Sequence, residues 1–109
     1  MDKSKFRLMW LMVMFDLPVT EKSERRSATQ FRNFLLDEGF EMSQFSVYFR
    51  FIGEKERSKP IVKRIKEALP ANGKVSILFF TDKQFSDILY FHDRTLVENA
   101  EIPDQLALF

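Results

Sequence analysis

The sequence predicts an α+β sandwich, with two amphipathic helices laid against one face of a small sheet. Three observations carry that expectation. Residues 8–15 (LMWLMVMF) run without a polar side chain and stop at Asp16-Leu17-Pro18, which reads as a strand buried on both faces. Two later segments repeat apolar residues at helical spacing, and further short runs are rich in aromatic and β-branched residues. At 109 residues the chain is sized for a single core.

The elements follow in order. Pro18 and Thr20 offer a turn and an N-cap for a first helix, with Glu21 in its first turn where the helix dipole favours an anion. Ala28, Phe31, Phe34 and Leu35 form its apolar stripe, and Gly39 ends it. Phe45, Val47, Phe49 and Phe51 then alternate with Gln44, Ser46, Tyr48 and Arg50, which predicts one strand over residues 44–51 closed by Gly53. Pro60 suits the first turn of a second helix carrying Ile61, Val62, Ile65 and Leu69, which Pro70 and Gly73 terminate. Residues 75–80 read as a third strand and 88–91 as a fourth, with 81–84 as a polar connection. A fifth short strand over 105–109 follows Ile102-Pro103. Two helices with four such strands favour a ferredoxin-like βαββαβ sandwich. Its domain spans 1–92, and residues 93–109 form a tail.

Two helices cover only one face of such a sheet, yet the first strand is apolar on both. The second face therefore needs another apolar surface. A two-fold homodimer, sheet against sheet, is the simplest cover, and loops or the tail folding over are the alternative.

Composition narrows the function classes. Hydrophobic content of 45% and charged content of 30% describe an ordinary globular protein. Thirteen phenylalanines are many for this length, and small Phe-filled cores tend to leave aromatic surface for partners. The absence of cysteine excludes disulfides and thiolate metal sites and makes a reducing cytoplasm the expected compartment. No apolar run approaches the roughly 20 residues that span a bilayer, and no cleavage site follows the first one, so neither a membrane span nor a signal peptide is expected. The net charge of +1 hides a division: residues 1–81 hold 15 Lys/Arg against 10 Asp/Glu, and residues 82–109 hold 2 against 6. A basic body that could meet phosphates precedes an acidic tail.

Candidate chemistry is sparse. The chain has one histidine, His92, and lacks paired-carboxylate metal motifs, a nucleophile motif and a glycine-rich phosphate cradle. Asp16 is a carboxylate delivered to the end of the most buried strand, placed either to cap the following helix or to bind a ligand. A lone carboxylate holds Mg2+ weakly, but two copies meeting near a dimer axis would supply a pair. Lys22, Arg25, Arg26 and Arg32 fall along the first helix, and Lys59, Lys63 and Lys66 share a face of the second at i, i+4 and i+7, flanked by Lys55, Arg57 and Arg64. Such rows either track a phosphate backbone or simply solvate a helix face. The aromatics of 45–49 are read as core rather than as an RNA-binding sheet, because the glycines of that signature are missing.

A first strand ending Met14-Phe15-Asp16-Leu17-Pro18, then Glu24-Arg25-Arg26, Phe31-Arg32-Asn33-Phe34-Leu35-Leu36, Glu38-Gly39-Phe40, Gln44-Phe45-Ser46-Val47-Tyr48 and Thr81-Asp82-Lys83-Gln84-Phe85, resembles the CRISPR-associated protein two family, within it the type II branch. The resemblance reaches from the first strand to Phe91. It implies a ferredoxin-like homodimer that bridges two dimers of the spacer integrase in a heterohexamer and holds duplex DNA by its backbone during spacer acquisition. It also implies a metal-dependent endonuclease with Asp16 as catalytic residue and as ligand of Mg2+, or of Mn2+ in its place. The alternative it leaves is a stand-alone metal-dependent endoribonuclease or endonuclease of the same fold. In the resemblance the tail pairs with the partner subunit or docks on the integrase.

Overall fold

In the computed structural model, which describes residues 8–97, the chain forms β1 (Leu8–Asp16), α1 (Lys22–Asp37), β2 (Glu41–Gln44), β3 (Val47–Glu54), α2 (Ser58–Glu67) and β4 (Lys74–Thr81). A short helix α3 (Asp82–Ser86) and a two-stranded ribbon of β5 (Phe91–His92) and β6 (Thr95–Leu96) follow. The four main strands make one sheet in the order β2-β3-β1-β4, and every pairing is antiparallel. With α1 after β1 and α2 after β3, this is the ferredoxin-like βαββαβ arrangement that the element pattern predicted.

The apolar run sits in the middle of that sheet because it can be covered on both sides. Met9, Leu11 and Val13 face the helices and pack with Phe31 and Leu35 of α1 and Ile61 and Ile65 of α2, together with Phe40, Tyr48 and Ile52. Trp10 and Met12 face the other way, toward Phe49 and Phe51 of β3 and Phe80 of β4. Gly53 (φ 75°) lies at a register shift in the β1–β3 pairing, where the ladder bulges just before the strand ends.

The helices end as their sequences dictate. The N-cap of α1 is Glu21, one residue later than the expected Thr20. Its backbone N–H donates to Glu24 Oε1 at 2.9 Å, a reciprocal box that Thr20 could not form at this spacing. At the other end Gly39 (φ 90°) donates to Leu36 O and Phe40 to Leu35 O, both at 3.0 Å, closing a Schellman turn. Glu38 at that turn accepts two bonds from Arg64, at 2.9 Å from Nε and 2.8 Å from Nη2, which ties α1 to α2.

Two strand assignments and one connection are corrected. The segment 44–51 is not one strand: the chain reverses at Phe45-Ser46, where Ser46 adopts φ 66°, so β2 and β3 form a hairpin. Alternation misled because β3 lies inside the sheet, burying Tyr48 on one face and Phe49 on the other. The expected fourth strand at 88–91 is not a member of the main sheet: only its last residue, Phe91, is in a strand, β5 of the separate ribbon, and β4 takes the fourth place. Residues 81–84 are not a plain connection but a capping box: Thr81 Oγ1 accepts from Gln84 N–H at 3.1 Å and Gln84 Oε1 from Thr81 N–H at 2.9 Å, starting α3. The expected strand at 105–109 and most of the 93–109 tail lie outside the described residues.

The second face is also partly covered from within the chain, by α3 and the residues after it. Phe85 of α3 stacks on Trp10 with ring centroids 4.0 Å apart and meets Phe49 edge-on at 4.8 Å. Trp10 Nε1–H donates to Asp82 Oδ1 at 2.8 Å, and Ile88 and Tyr90 complete the cover. Near the other end of β1, Met14 stays 40% exposed on the same face.

This clasp makes a prediction. Phe85→Ala removes a nearly fully buried ring and is expected to cost about 3–4 kcal/mol, read as a lower urea midpoint at unchanged slope. Trp10 emission should move to the red. A drop under about 1 kcal/mol, the size of an exposed substitution, would show that α3 does not hold this face.

Candidate functional site

β1 runs from its buried middle to Asp16, which is exposed at the end of the ladder. Even-numbered residues of β1 point away from the helices, so Asp16 shares the second face with Met14, on the side opposite the main core. Its cross-strand partner is Lys74, the first residue of β4. The third wall comes from the β2–β3 turn, anchored by the Phe15 N–H donating to Ser46 O at 3.1 Å. Together Met14, Asp16, Phe45, Ser46, Val47, Lys74 and Ser76 line a shallow open depression.

Gly73 fixes how β4 enters. It adopts φ 97°, and a Cβ there would stand 2.8 Å from the Asp16 carbonyl oxygen and 2.8 Å from Leu17 Cδ2. Only glycine permits that approach of backbone to backbone. The sequence marked Gly73 as a helix terminator, but its stronger role is to set Lys74 against Asp16.

The cations divide by position. Lys22, Arg25 and Arg26 begin α1, only six to ten residues past Asp16, and all are exposed. Arg25 is engaged locally, its Nη1 donating to Val19 O at 3.1 Å and Thr20 O at 2.8 Å. Arg32 is half-buried, its guanidinium 5.4 Å from the Phe45 ring centroid and close enough to Tyr48 to oppose the rise that burial gives that phenol's pKa. It therefore serves the hairpin rather than an open surface. Lys59, Lys63 and Lys66 are exposed on α2, with Ile61 and Ile65 turned inward. Lys59 lies 3.8 Å from Glu56, a weak exposed pair, at the end of α2 nearer the start of β1. Arg64, expected to widen the patch, is spent on Glu38, and that bond raises its pKa.

The described residues of one chain do not gather a metal centre. Among the described residues no three His, Cys, Asp or Glu side chains gather in a way that could hold an ion, and Asp16 is the one carboxylate in its depression. A hard divalent ion that prefers several oxygen ligands is poorly served by that donor set. Two copies of Asp16 brought together would fit it better. No helix among the described residues is long and apolar enough to cross a membrane.

Sequence reasoning found Asp16 but missed Lys74, Phe45 and Ser76 as its neighbours. The antiparallel order of a ferredoxin-like sheet could have paired the start of the last strand with the end of the first. The polar Ser43-Gln44 and Ser46 around Phe45 were a turn signal hidden by apparent alternation.

Fold and site together define a class: a small ferredoxin-like protein with one strand-end carboxylate and basic helices. Residues 9–88 match the family described as CRISPR associated protein Cas2. The chain is 52% identical to the CRISPR-associated endoribonuclease Cas2 of Paracidovorax avenae over 104 residues, covering 95% of this chain and 96% of that one. It is 42% identical to the protein of the same name from Flavobacterium psychrophilum, covering 97% and 92%. With that of Streptococcus mutans strain UA159 it shares 38% identity, covering 85% and 87%. The chain belongs to the Cas2 family.

The Gly73 approach supplies a test. Gly73→Ala is expected to lower stability by about 1–3 kcal/mol, the cost of a non-glycine residue held in a sparsely populated conformation, measured by chemical denaturation. A variant as stable as the parent would mean that the Asp16–Lys74 register does not depend on this close approach.

Proposed function

We propose that this protein is the homodimeric scaffold subunit of CRISPR adaptation, which holds duplex DNA by its backbone and bridges integrase dimers during spacer acquisition. The observation that carries this reading is an imbalance. Among the described residues Lys22, Arg26, Lys63 and Lys66 are exposed and form no ion pair, and Asp16 has no second carboxylate beside it. Exposed cations on helix surfaces attract a polyanion whatever its sequence. A single acid is a weak start for metal chemistry.

Support for the dimer is the part of the second face that α3 leaves uncovered among the described residues. Met14 is exposed there beside Asp16, and a second copy seated against Met14 would bring two Asp16 carboxylates near the axis while leaving the hairpin tip at the mouth of the cleft.

A second reading has its own support. The relatives are named endoribonucleases, and Asp16 is exposed at a strand end in an open depression, where a nucleic acid strand can reach it. Two Asp16 side chains, one from each copy, would hold Mg2+ or Mn2+, which when bound activates water and stabilises charge on a phosphate. The chain's own part would be to present these carboxylates and keep the cleft between copies open.

Mutation separates the two. Asp16→Ala should abolish metal-dependent cleavage while leaving duplex binding and spacer acquisition intact. If acquisition failed with duplex binding intact, Asp16 would be central rather than accessory. Reversing Lys59, Lys63 and Lys66 to Glu should weaken duplex binding by tenfold or more and flatten its dependence on salt, by about 0.9 in log–log slope for each phosphate no longer neutralised. Unchanged binding would remove α2 from the DNA track.

A further inference from the structure

The depression at Asp16 holds more than a carboxylate. Asp16 and Lys74 are direct cross-strand partners on one face, which places their Cβ atoms about 5 Å apart. Both are exposed, and neither forms a side-chain hydrogen bond or ion pair with any described residue. Phe45 stands at the tip of the hairpin turn with three quarters of its surface exposed, 75%, the largest exposure of any large hydrophobic side chain among the described residues. Burial does not explain a phenylalanine there. It is held in place all the same: the turn is bonded to β1 through Phe15 N–H and Ser46 O, and the Arg32 guanidinium lies against the ring. The hydroxyls of Ser46 and Ser76 flank the same hollow.

A fixed aromatic ring, an unpaired ammonium and two hydroxyls around an open apolar floor match the chemistry of a nucleotide. The geometry points to a nucleotide subsite in which Lys74 binds the phosphate next to Asp16 and Phe45 stacks on the adjoining unpaired base. Lys74 supplies what Asp16 cannot, since a carboxylate repels a phosphate unless a cation lies between them. Phe45 can stack only on a base that is out of a duplex, because paired bases present their faces to each other. This subsite rests on the nuclease reading above, and it is distinct from the duplex track on α1 and α2. In a dimer the two depressions form the walls of the cleft that the strand enters.

Lys74 and Phe45 act as positioning residues, and their substitution leaves Asp16 in place. The test uses the full chain with chelator present, so that nothing is cleaved. Fluorescence anisotropy follows binding of a short labelled single-stranded oligoadenylate and of a labelled DNA duplex. Phe45→Ala is expected to weaken single-strand binding by at least about fivefold, the lower range for removal of one stacked base, and Phe45→Tyr to retain it. Lys74→Gln should weaken the same binding and reduce its salt slope by about 0.7, the share of one phosphate on a single strand, with Lys74→Arg close to the parent. Duplex binding should be unchanged in all four. Sedimentation and thermal unfolding of each variant should match the parent, since both residues are exposed.

The proposal is overturned if the variants bind the single strand like the parent, if duplex binding falls equally, or if binding disappears together with the dimer. The last result would make these interface residues. A parent protein that binds neither probe overturns the nucleic-acid reading and the subsite with it. A parent that binds while the variants are indifferent overturns the subsite alone.

Discussion

β1 is apolar on both faces and lies between two neighbours, so the rest of the molecule is arranged to cover it on two sides. The helices do this on one side along most of its length. On the other side the cover is uneven. Phe85 and Trp10 close the end near the start of β1, fixed by the Trp10–Asp82 hydrogen bond, while the Asp16 end is left to Met14 and the exposed Phe45. The candidate site residues sit where the described part of the chain stops covering its central strand. A closed second face would have had no room for either a partner or a ligand.

That division also explains why a family with so few chemical groups can be read in two ways. The basic residues of α1 and α2 sit on the helix layer, and Asp16 and Lys74 sit on the other side of the sheet. The two surfaces are separated by the main core. The two proposed roles, duplex holding and strand cleavage, would therefore draw on different side chains and can be tested by separate substitutions.

Much of this was legible in the chain. The double-sided run of β1, the helical stripes of Ala28, Phe31 and Leu35 and of Ile61 and Ile65, and the Gly39 terminator all behave as their spacing required. Asp16 was found because it ends an uninterrupted apolar run. What stayed hidden depended on pairing. Tyr48 and Phe49 are both buried because β3 is an interior strand, so alternation could not reveal the turn at Phe45-Ser46. Lys74 became significant only once β4 was laid antiparallel to β1, and Gly73 only once its backbone was seen to touch Asp16 and Leu17. The capping box at Thr81 was readable but was outweighed by the β-like residues after it.

Both proposed readings need a second copy on the uncovered part of the sheet, and on the nuclease reading the carboxylate at the end of β1 would become a metal site only in that dimer. The most direct measurement is the separation of the two Asp16 carboxylates in a crystal structure of the Mg2+-loaded protein. Two oxygens each about 2.1 Å from one ion require carboxylates within roughly 4–5 Å of each other, with the copies meeting at the Met14 end of the second face. Dimers that meet through the helix layer, or carboxylates held well beyond that distance with the ion bound elsewhere, would contradict it.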